Sequence, residues 1–182
     1  MAHVNVEIKA VCNQPDHIRG MLRQRGADFR GTDHQVDTYF RVPRGRLKLR
    51  EGHLENHLIY YDRPNEPGPK RADVLLLATE PGSPLRDILA QVFGTLVVVD
   101  KRREIYFIDN VKFHIDVVEG LGSFMEIEAQ SAGDRRSEQE LRQQCRTYLD
   151  LLGIDPADLV GESYSDLLLS RQVGDQATGS TG

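Results

Sequence analysis

Four of the five lysines in this chain, Lys9, Lys48, Lys101 and Lys112, fall in segments where polar and apolar side chains alternate, and always on the polar face. The chain carries eighteen arginines, so arginine is its ordinary cation, and these lysines mark positions suited to a compact, mobile ammonium rather than a planar guanidinium. Arg46, Arg50, Arg71 and Arg103 share those faces, and the fifth lysine, Lys70, stands at a strand edge beside Arg71. The same faces hold the carboxylates Glu7, Asp37, Asp116, Glu126 and Glu128. A solvated sheet would send all of these to water. The opposite faces, however, are continuously apolar, and the chain also offers apolar helical stripes to cover them. With helices outside, the charged faces look inward across a barrel or tunnel filled with water and charge. Two like charges ~8 Å apart repel by roughly 2 kcal/mol at an effective dielectric near 20. Five carboxylates do not neutralise this many cations, so the interior calls for an anionic ligand. A linear polyphosphate with bound Mg²⁺ or Mn²⁺ suits it, because these ions take oxygen ligands and bridge carboxylates to substrate phosphates.

The elements that must position these groups follow from periodicity. Strict alternation puts successive side chains on opposite strand faces. Val4, Val6, Ile8 and Ala10 alternate with Asn5, Glu7 and Lys9; strands are also predicted at 34–41, 46–50, 57–63, 71–79, 97–107, 111–117 and 125–129. The Pro- and Gly-rich stretch 64–69, Asp109-Asn110 and Gly120-Leu-Gly122 supply turns; the last lacks the strand–loop–helix setting of a phosphate loop. Helical spacing appears at 15–25, 83–93 and 137–152, each stopping at a glycine. A short turn at 158–168 is expected to pack back on the core. The fold expected is α+β and β-dominated: a closed or nearly closed eight-stranded antiparallel barrel with helices packed outside. Residues 1–169 read as one domain and 170–182 as a flexible tail.

The chain has 182 residues, 39% hydrophobic and 28% charged, with a net charge of −5. That is one soluble domain of ordinary size. The overall acidity argues against a protein that coats nucleic acid or an anionic membrane, so an anion must be met by a local cluster. No apolar run approaches a membrane span and the N-terminus lacks a signal-peptide core, which points to the cytosol. Cys12 and Cys145 are far apart with no C-x-x-C pairing and read as structural thiols.

Asn5-Val-Glu-Ile-Lys-Ala10 resembles the E-x-E-x-K signature of the CYTH superfamily, the triphosphate tunnel metalloenzymes. Asp37-Thr-Tyr-Phe40, Arg46-Leu-Lys-Leu-Arg50, Lys101-Arg-Arg-Glu-Ile-Tyr106, the run from His114 through Glu128 and Ser163-Tyr-Ser-Asp-Leu167 resemble further blocks in the family's order. The Val118-Glu-Gly-Leu-Gly122 block with Phe124-Met-Glu-Ile-Glu128 most resembles the class IV adenylyl cyclase branch. The resemblance implies a Mg²⁺- or Mn²⁺-dependent enzyme that cleaves a phosphoanhydride of ATP, tripolyphosphate or thiamine triphosphate. It makes Glu7, Glu126 and Glu128 metal ligands, and Asp116 a ligand or water-positioning group. Lys9, Lys48, Arg50, Lys101 and Arg103 grip phosphates, with Arg71 and Lys112 added to the grip, and the chemistry is assigned to Lys9, Asp116 and Glu126. Because carboxylates gathered for a metal repel one another, Glu126→Gln is expected to leave the metal-free fold at least as stable.

Two positions depart from the pattern. Asn5 replaces the first Glu, keeping an oxygen but losing a charge. Asp62 stands where a Lys is usual, with Arg63 available to replace that cation. Tyr39 and Tyr61 read as barrel packing and His114 as a hydrogen-bonded structural histidine. Hydrolysis by a metal-oriented water and cyclisation by a ribose hydroxyl both remain open. A non-catalytic polyphosphate or nucleotide binder is the alternative that Asn5 makes plausible.

Overall fold

The computed structural model describes residues 2–131 and 136–178. Eight strands, β1 (Ala2–Val11), β2 (Asp28–Phe40), β3 (Arg46–Glu51), β4 (His57–Asp62), β5 (Lys70–Ala78), β6 (Thr95–Ile108), β7 (Val111–Val118) and β8 (Gly122–Gln130), close into one barrel in the order β1-β5-β4-β3-β2-β6-β7-β8. Every neighbouring pair is antiparallel. The two longest strands, β2 and β6, pair with irregularities at Phe29/Gly31 and Tyr39/Phe40. Such bulges bend and twist a ribbon, which helps a sheet curl to closure. The β7–β8 hairpin turns through Gly120 and Gly122, whose φ values of 73° and 100° favour glycine.

Register decides which charges meet. Lys9 faces Glu126 and Glu7 faces Glu128 across β1–β8, Arg103 faces Asp116 across β6–β7, and Asp37 faces Arg50 across β2–β3. Residues far apart in sequence thus become cross-strand neighbours on one face.

The apolar faces are covered as expected on two sides. Helices α1 (Pro15–Gln24) and α3 (Glu138–Leu151) bury Ile18, Leu22, Leu141 and Cys145 against Ile8, Phe113, Ile115 and Ile127. Helix α2 (Leu85–Phe93) lays Leu85 and Leu89 over Phe40 and Leu49. α3 begins with a capping box between Ser137 and Glu140.

The fourth helix, α4 (Tyr164–Thr178), changes the picture inside the barrel. Its Tyr164, Leu167 and Leu168 cluster with Tyr39, Tyr61, Val97, Val99, Val118 and Phe124. One end of the expected tunnel is therefore filled by apolar and aromatic side chains, and most of the charge lies in the remainder. Residues from Ser170 onward, expected as a tail, continue this helix to Thr178, and 179–182 lie outside the described residues. Cys12 and Cys145 are buried free thiols. No helix among the described residues is long and apolar enough to cross a membrane.

Candidate active site

Inward-facing side chains enclose a cavity of about 340 Å³ lined by residues from β1, β2, β3, β4, β5, β6, β7 and β8. That is within the usual size range for a small-molecule site. Its charges are organised around individual carboxylates. Asp37, 1% exposed, accepts from Lys48 Nζ at 2.8 Å, Lys101 Nζ at 2.7 Å, and Arg50 Nε and Nη2 at 2.8 and 3.0 Å. Burial alone would raise the Asp37 pKa, but Arg50, Lys101 and Lys48 overcome it and hold the carboxyl well below its ordinary range. Lys101 sits in the opposite situation. Burial and the neighbouring cations Arg50, Arg103 and Lys48 press its pKa down, against Asp37 alone. This is a cation cluster that one internal carboxylate does not satisfy.

Glu126 is the second hub. It receives Lys9 Nζ at 2.8 Å, Arg103 Nη2 at 2.7 Å and His114 Nδ1 at 3.1 Å. Burial opposes its ionisation, and Lys9, Arg103 and His114 prevail and hold it low. Burial, with Arg103 and Lys112, pushes His114 down to about 3, so the ring is neutral at physiological pH. Nδ1 then carries the proton and donates to Glu126, while the buried Nε2 has no partner. Asp116 takes Arg103 Nε at 2.7 Å and the Tyr164 hydroxyl at 2.8 Å. Tyr164 also lies under Lys9, whose Nζ stands 3.6 Å from the ring centroid.

A third group is mostly acidic. Glu7 pairs with Arg63 Nε at 2.9 Å. Glu128 accepts from Asn5 Nδ2 at 2.7 Å and Gln130 Nε2 at 2.9 Å. Burial, then the carboxylates of Glu7 and Glu126, raise the Glu128 pKa despite Lys112. The buried carbonyl oxygen of Asn5 has no partner.

These observations bear on a divalent ion. Among the described residues, no three His, Cys, Asp or Glu side chains form a metal-holding group. Two carboxylates that face each other across one strand pair, one of them destabilised by burial and then by negative neighbours, and an orphaned amide oxygen beside them are nonetheless hard oxygen donors of the kind Mg²⁺ and Mn²⁺ take. Glu7, Glu128 and Asn5 therefore fit the ion. Glu126 is instead engaged by both Lys9 and Arg103, and Asp116 is held by Arg103 at two oxygens, while Glu7 keeps the single cation partner Arg63.

Of the residues expected to grip phosphate, Lys9, Lys48, Arg50, Arg103 and Lys112 line the cavity and Lys101 lies behind Asp37. Arg71 does not join them. It pairs with Val6 on the outer face and binds Asp73 and, on α3, Glu138. The inward position in β5 belongs to Lys70, opposite Glu7, fully buried, with its Nζ 3.3 Å from the carbonyls of Glu66 and Val160. Burial, then Arg63 and Lys9, lower its pKa to about 8 despite Glu7. Asp62 also points outward, to Arg44, while Arg63 supplies the cation inside. Tyr39 and Tyr61 both pack and line, their hydroxyls 3.4 Å apart and each ring near Lys48. Glu55, which alternation does not reveal because it sits in a loop, enters the cavity on Arg50 and Lys112.

A charge-lined β-barrel with this order of motifs defines a class. The CYTH domain family model matches residues 3–164, and the chain belongs to the CYTH family. A Methanocaldococcus jannaschii protein named as a candidate adenylate cyclase is 26% identical over 173 residues, spanning 90% of this chain and 98% of that protein. Among solved structures, a Pyrococcus horikoshii OT3 protein superposes with a TM-score of 0.76 at 24% identity, over 90% of this chain and 98% of that one. A Hippeastrum protein, named a candidate adenylyl cyclase with a dominant triphosphatase activity, superposes with a TM-score of 0.57 at 13% identity, covering 93% and 95%.

Proposed function

We propose that this protein is a divalent-metal-dependent enzyme that binds a triphosphate compound in its barrel and cleaves a phosphoanhydride bond. The observation that carries the proposal is the cation cluster around Asp37, where Lys48, Arg50 and Lys101 share one carboxylate. A polyanion entering the cavity relieves that repulsion. Its charge compensates the cations that Asp37 leaves under-neutralised, so binding energy comes from relief of the repulsion among them.

Lys9, Lys48, Arg50 and Arg103 bind and orient the phosphate oxygens, Lys101 adds its charge from behind Asp37, and Lys112 stays paired with Glu55. Glu7, Glu128 and the Asn5 carbonyl hold Mg²⁺ or Mn²⁺, which when bound supplies Lewis-acid stabilisation of the oxygens that gain charge. Glu126 keeps Lys9 and Arg103 aligned toward the cavity, and Asp116 fixes the other side of the Arg103 guanidinium. The dry cluster under α4 excludes water from one end. Ile59, Val74 and Leu76 on β4 and β5 give the organic part of ATP or thiamine triphosphate a surface that tripolyphosphate does not use.

The shared fold serves proteins named for either outcome, so the test must resolve products. ATP, tripolyphosphate and thiamine triphosphate are incubated with the protein and Mg²⁺ or Mn²⁺, and phosphate, pyrophosphate and cyclic AMP are separated. Metal-dependent release of phosphate is expected. Cyclic AMP with pyrophosphate from ATP would replace hydrolysis by cyclisation, and tight binding without any turnover would make the protein a polyphosphate binder.

A further inference from the structure

The connection between β3 and β4 is short, polar and tightly tied down. The buried Asp33 carboxylate accepts the backbone N–H groups of His53, Leu54 and Glu55 at 2.7, 3.1 and 3.2 Å, and the Gln35 amide at 3.0 Å. Asn56 bridges back to the N–H and carbonyl of Gly52 at 3.2 and 2.8 Å. Gly52 has no room for a side chain, since a Cβ there would stand 2.5 Å from Asp33 Oδ2. Three backbone donors converging on one carboxylate fold this loop inward rather than away from the barrel.

The consequence is the placement of Glu55. Its carboxylate takes Arg50 Nη1 and Gln35 Nε2, both at 3.0 Å, and also contacts Lys112 Nζ. Arg50 is on β3 and Lys112 on β7, with β2 and β6 between them in the barrel, so Glu55 spans the lumen at the end away from α4. Asp37, Asp116 and Glu126 belong to the strands themselves. Among the described residues, Glu55 is the one carboxylate pairing the lining cations that arrives from a loop, and it sits between two of them.

We infer that Glu55 is a specificity-determining residue: a resident anion that closes the cation row and limits how long a phosphate chain the barrel accepts. The inference rests on the triphosphate reading of the site. A chain of three phosphates reaches the cations around Asp37 and Glu126 and leaves the Glu55 contacts intact. A longer chain must displace the carboxylate from Arg50 and Lys112 or be repelled by it. Asp33 is the positioning residue that holds the loop in place.

Isothermal titration of the full chain with inorganic tripolyphosphate and tetrapolyphosphate, without metal, tests this. Glu55→Gln keeps the shape and removes the charge. It is expected to shift the affinity ratio toward tetrapolyphosphate by about tenfold, the size of one charge-assisted contact released to the ligand. Lys112→Met in the Glu55→Gln background is expected to erase that gain. An unchanged ratio in both Glu55→Gln and Glu55→Ala, with tripolyphosphate still bound, overturns the role of Glu55 and leaves the triphosphate reading standing. Equal weakening of both ligands makes Glu55 a scaffold and overturns it as well. A wild-type protein that binds neither polyphosphate overturns both ideas.

Discussion

The wall of the cavity built by β6, β7, β8 and β1 and the wall built by β4 and β5 use the same alternation of side chains to different ends. The first presents Arg103, Lys112, Glu126, Glu128 and Lys9, each held by at least one opposite charge or hydrogen bond. The second presents Ile59, Tyr61, Ala72, Val74 and Leu76, continuous with the dry cluster under α4. An apolar wall stabilises the barrel by burial, at about 25 cal/mol per Å² removed from water. A charged wall gains little net stability, since desolvation offsets its Coulomb attraction. It persists as a set of mutually dependent pairs, and breaking one pair leaves a buried charge exposed to its neighbours. The two walls therefore answer mutation differently.

The largest effect is expected at Glu126. Glu126→Gln leaves Lys9 and Arg103 without their shared carboxylate, so metal-dependent turnover falls below detection by product assay. Carboxylate repulsion predicts that this variant is at least as stable as wild type without metal. The geometry reverses that expectation, because Glu126 is held by the cations Lys9 and Arg103 and by the neutral His114 donor rather than gathered with other acids. A loss of about 3 kcal/mol in urea unfolding with chelator present is expected, the cost typical of breaking a buried pair.

The acid limb of stability probes the same wall. Asp37 and Glu126 have pKa values below those of the unfolded chain. Their contribution is fully present above the ordinary carboxylate range near 4 and is lost as pH falls through the lower folded values. Thermal unfolding followed from pH 6 downward should show a steep loss of stability below about pH 4. Asp37→Asn should flatten that slope while lowering stability at pH 6, and an unchanged slope would remove Asp37 from the pairs that matter.

Lys101→Met comes next. Asp37 keeps Arg50 and Lys48, so the protein stays folded, but the cation cluster that calls for a polyanion is relieved. Tripolyphosphate affinity is expected to fall by about 10- to 100-fold, the effect of removing one positive charge held behind Asp37, near the ligand but not touching it, at an effective dielectric near 20. Equal affinity by calorimetry would remove Lys101 from the anion site.

On the apolar wall the expected change is smaller and depends on the ligand. Leu76 is 43% exposed at the edge of the cavity, so Leu76→Ala costs little stability. It should weaken ATP or thiamine triphosphate by a few-fold, on the order of 1 kcal/mol for the methylene surface lost, and leave tripolyphosphate unchanged. A matching loss for tripolyphosphate would show that the two walls do not divide phosphate from organic group.

Most of the charged wall was legible because period-two alternation is unambiguous where charge and aliphatic residues trade places, as at Glu7, Lys9, Arg103 and Asp116. The eight strands and the closure followed from the same pattern, and three of the helices from apolar residues at helical spacing. Glu55 escaped because a loop has no periodicity, and its position depends on Asp33, twenty-two residues away in sequence. The dry end of the barrel escaped because Val97, Val99 and Val118 read equally well as outward packing, and because α4 mixes leucines with the polar residues of an apparent tail. β5 was ambiguous for a physical reason: Lys70 and Arg71 are adjacent cations, and the run Val74–Ala78 is apolar on both faces, so nothing local says which phase points inward.

That ambiguity gives the last and smallest effect, and the sharpest test of the division between walls. Arg71 pairs across β1 with Val6, while its neighbour Lys70 pairs with Glu7. Strand geometry places adjacent residues on opposite faces, so only one of the two cations belongs to the site. Arg71 reaches Asp73 on its own strand and Glu138 on α3, an exposed arrangement of the kind that contributes little and is screened by salt. Arg71→Ala is therefore expected to leave tripolyphosphate affinity and metal-dependent turnover unchanged. Lys70→Met alters the electrostatic surroundings of Glu7 and Lys9 and should change both. If Arg71→Ala weakens the ligand as Lys101→Met does, the phase of β5 is inverted, and the β5 residues assigned to the apolar wall belong outside.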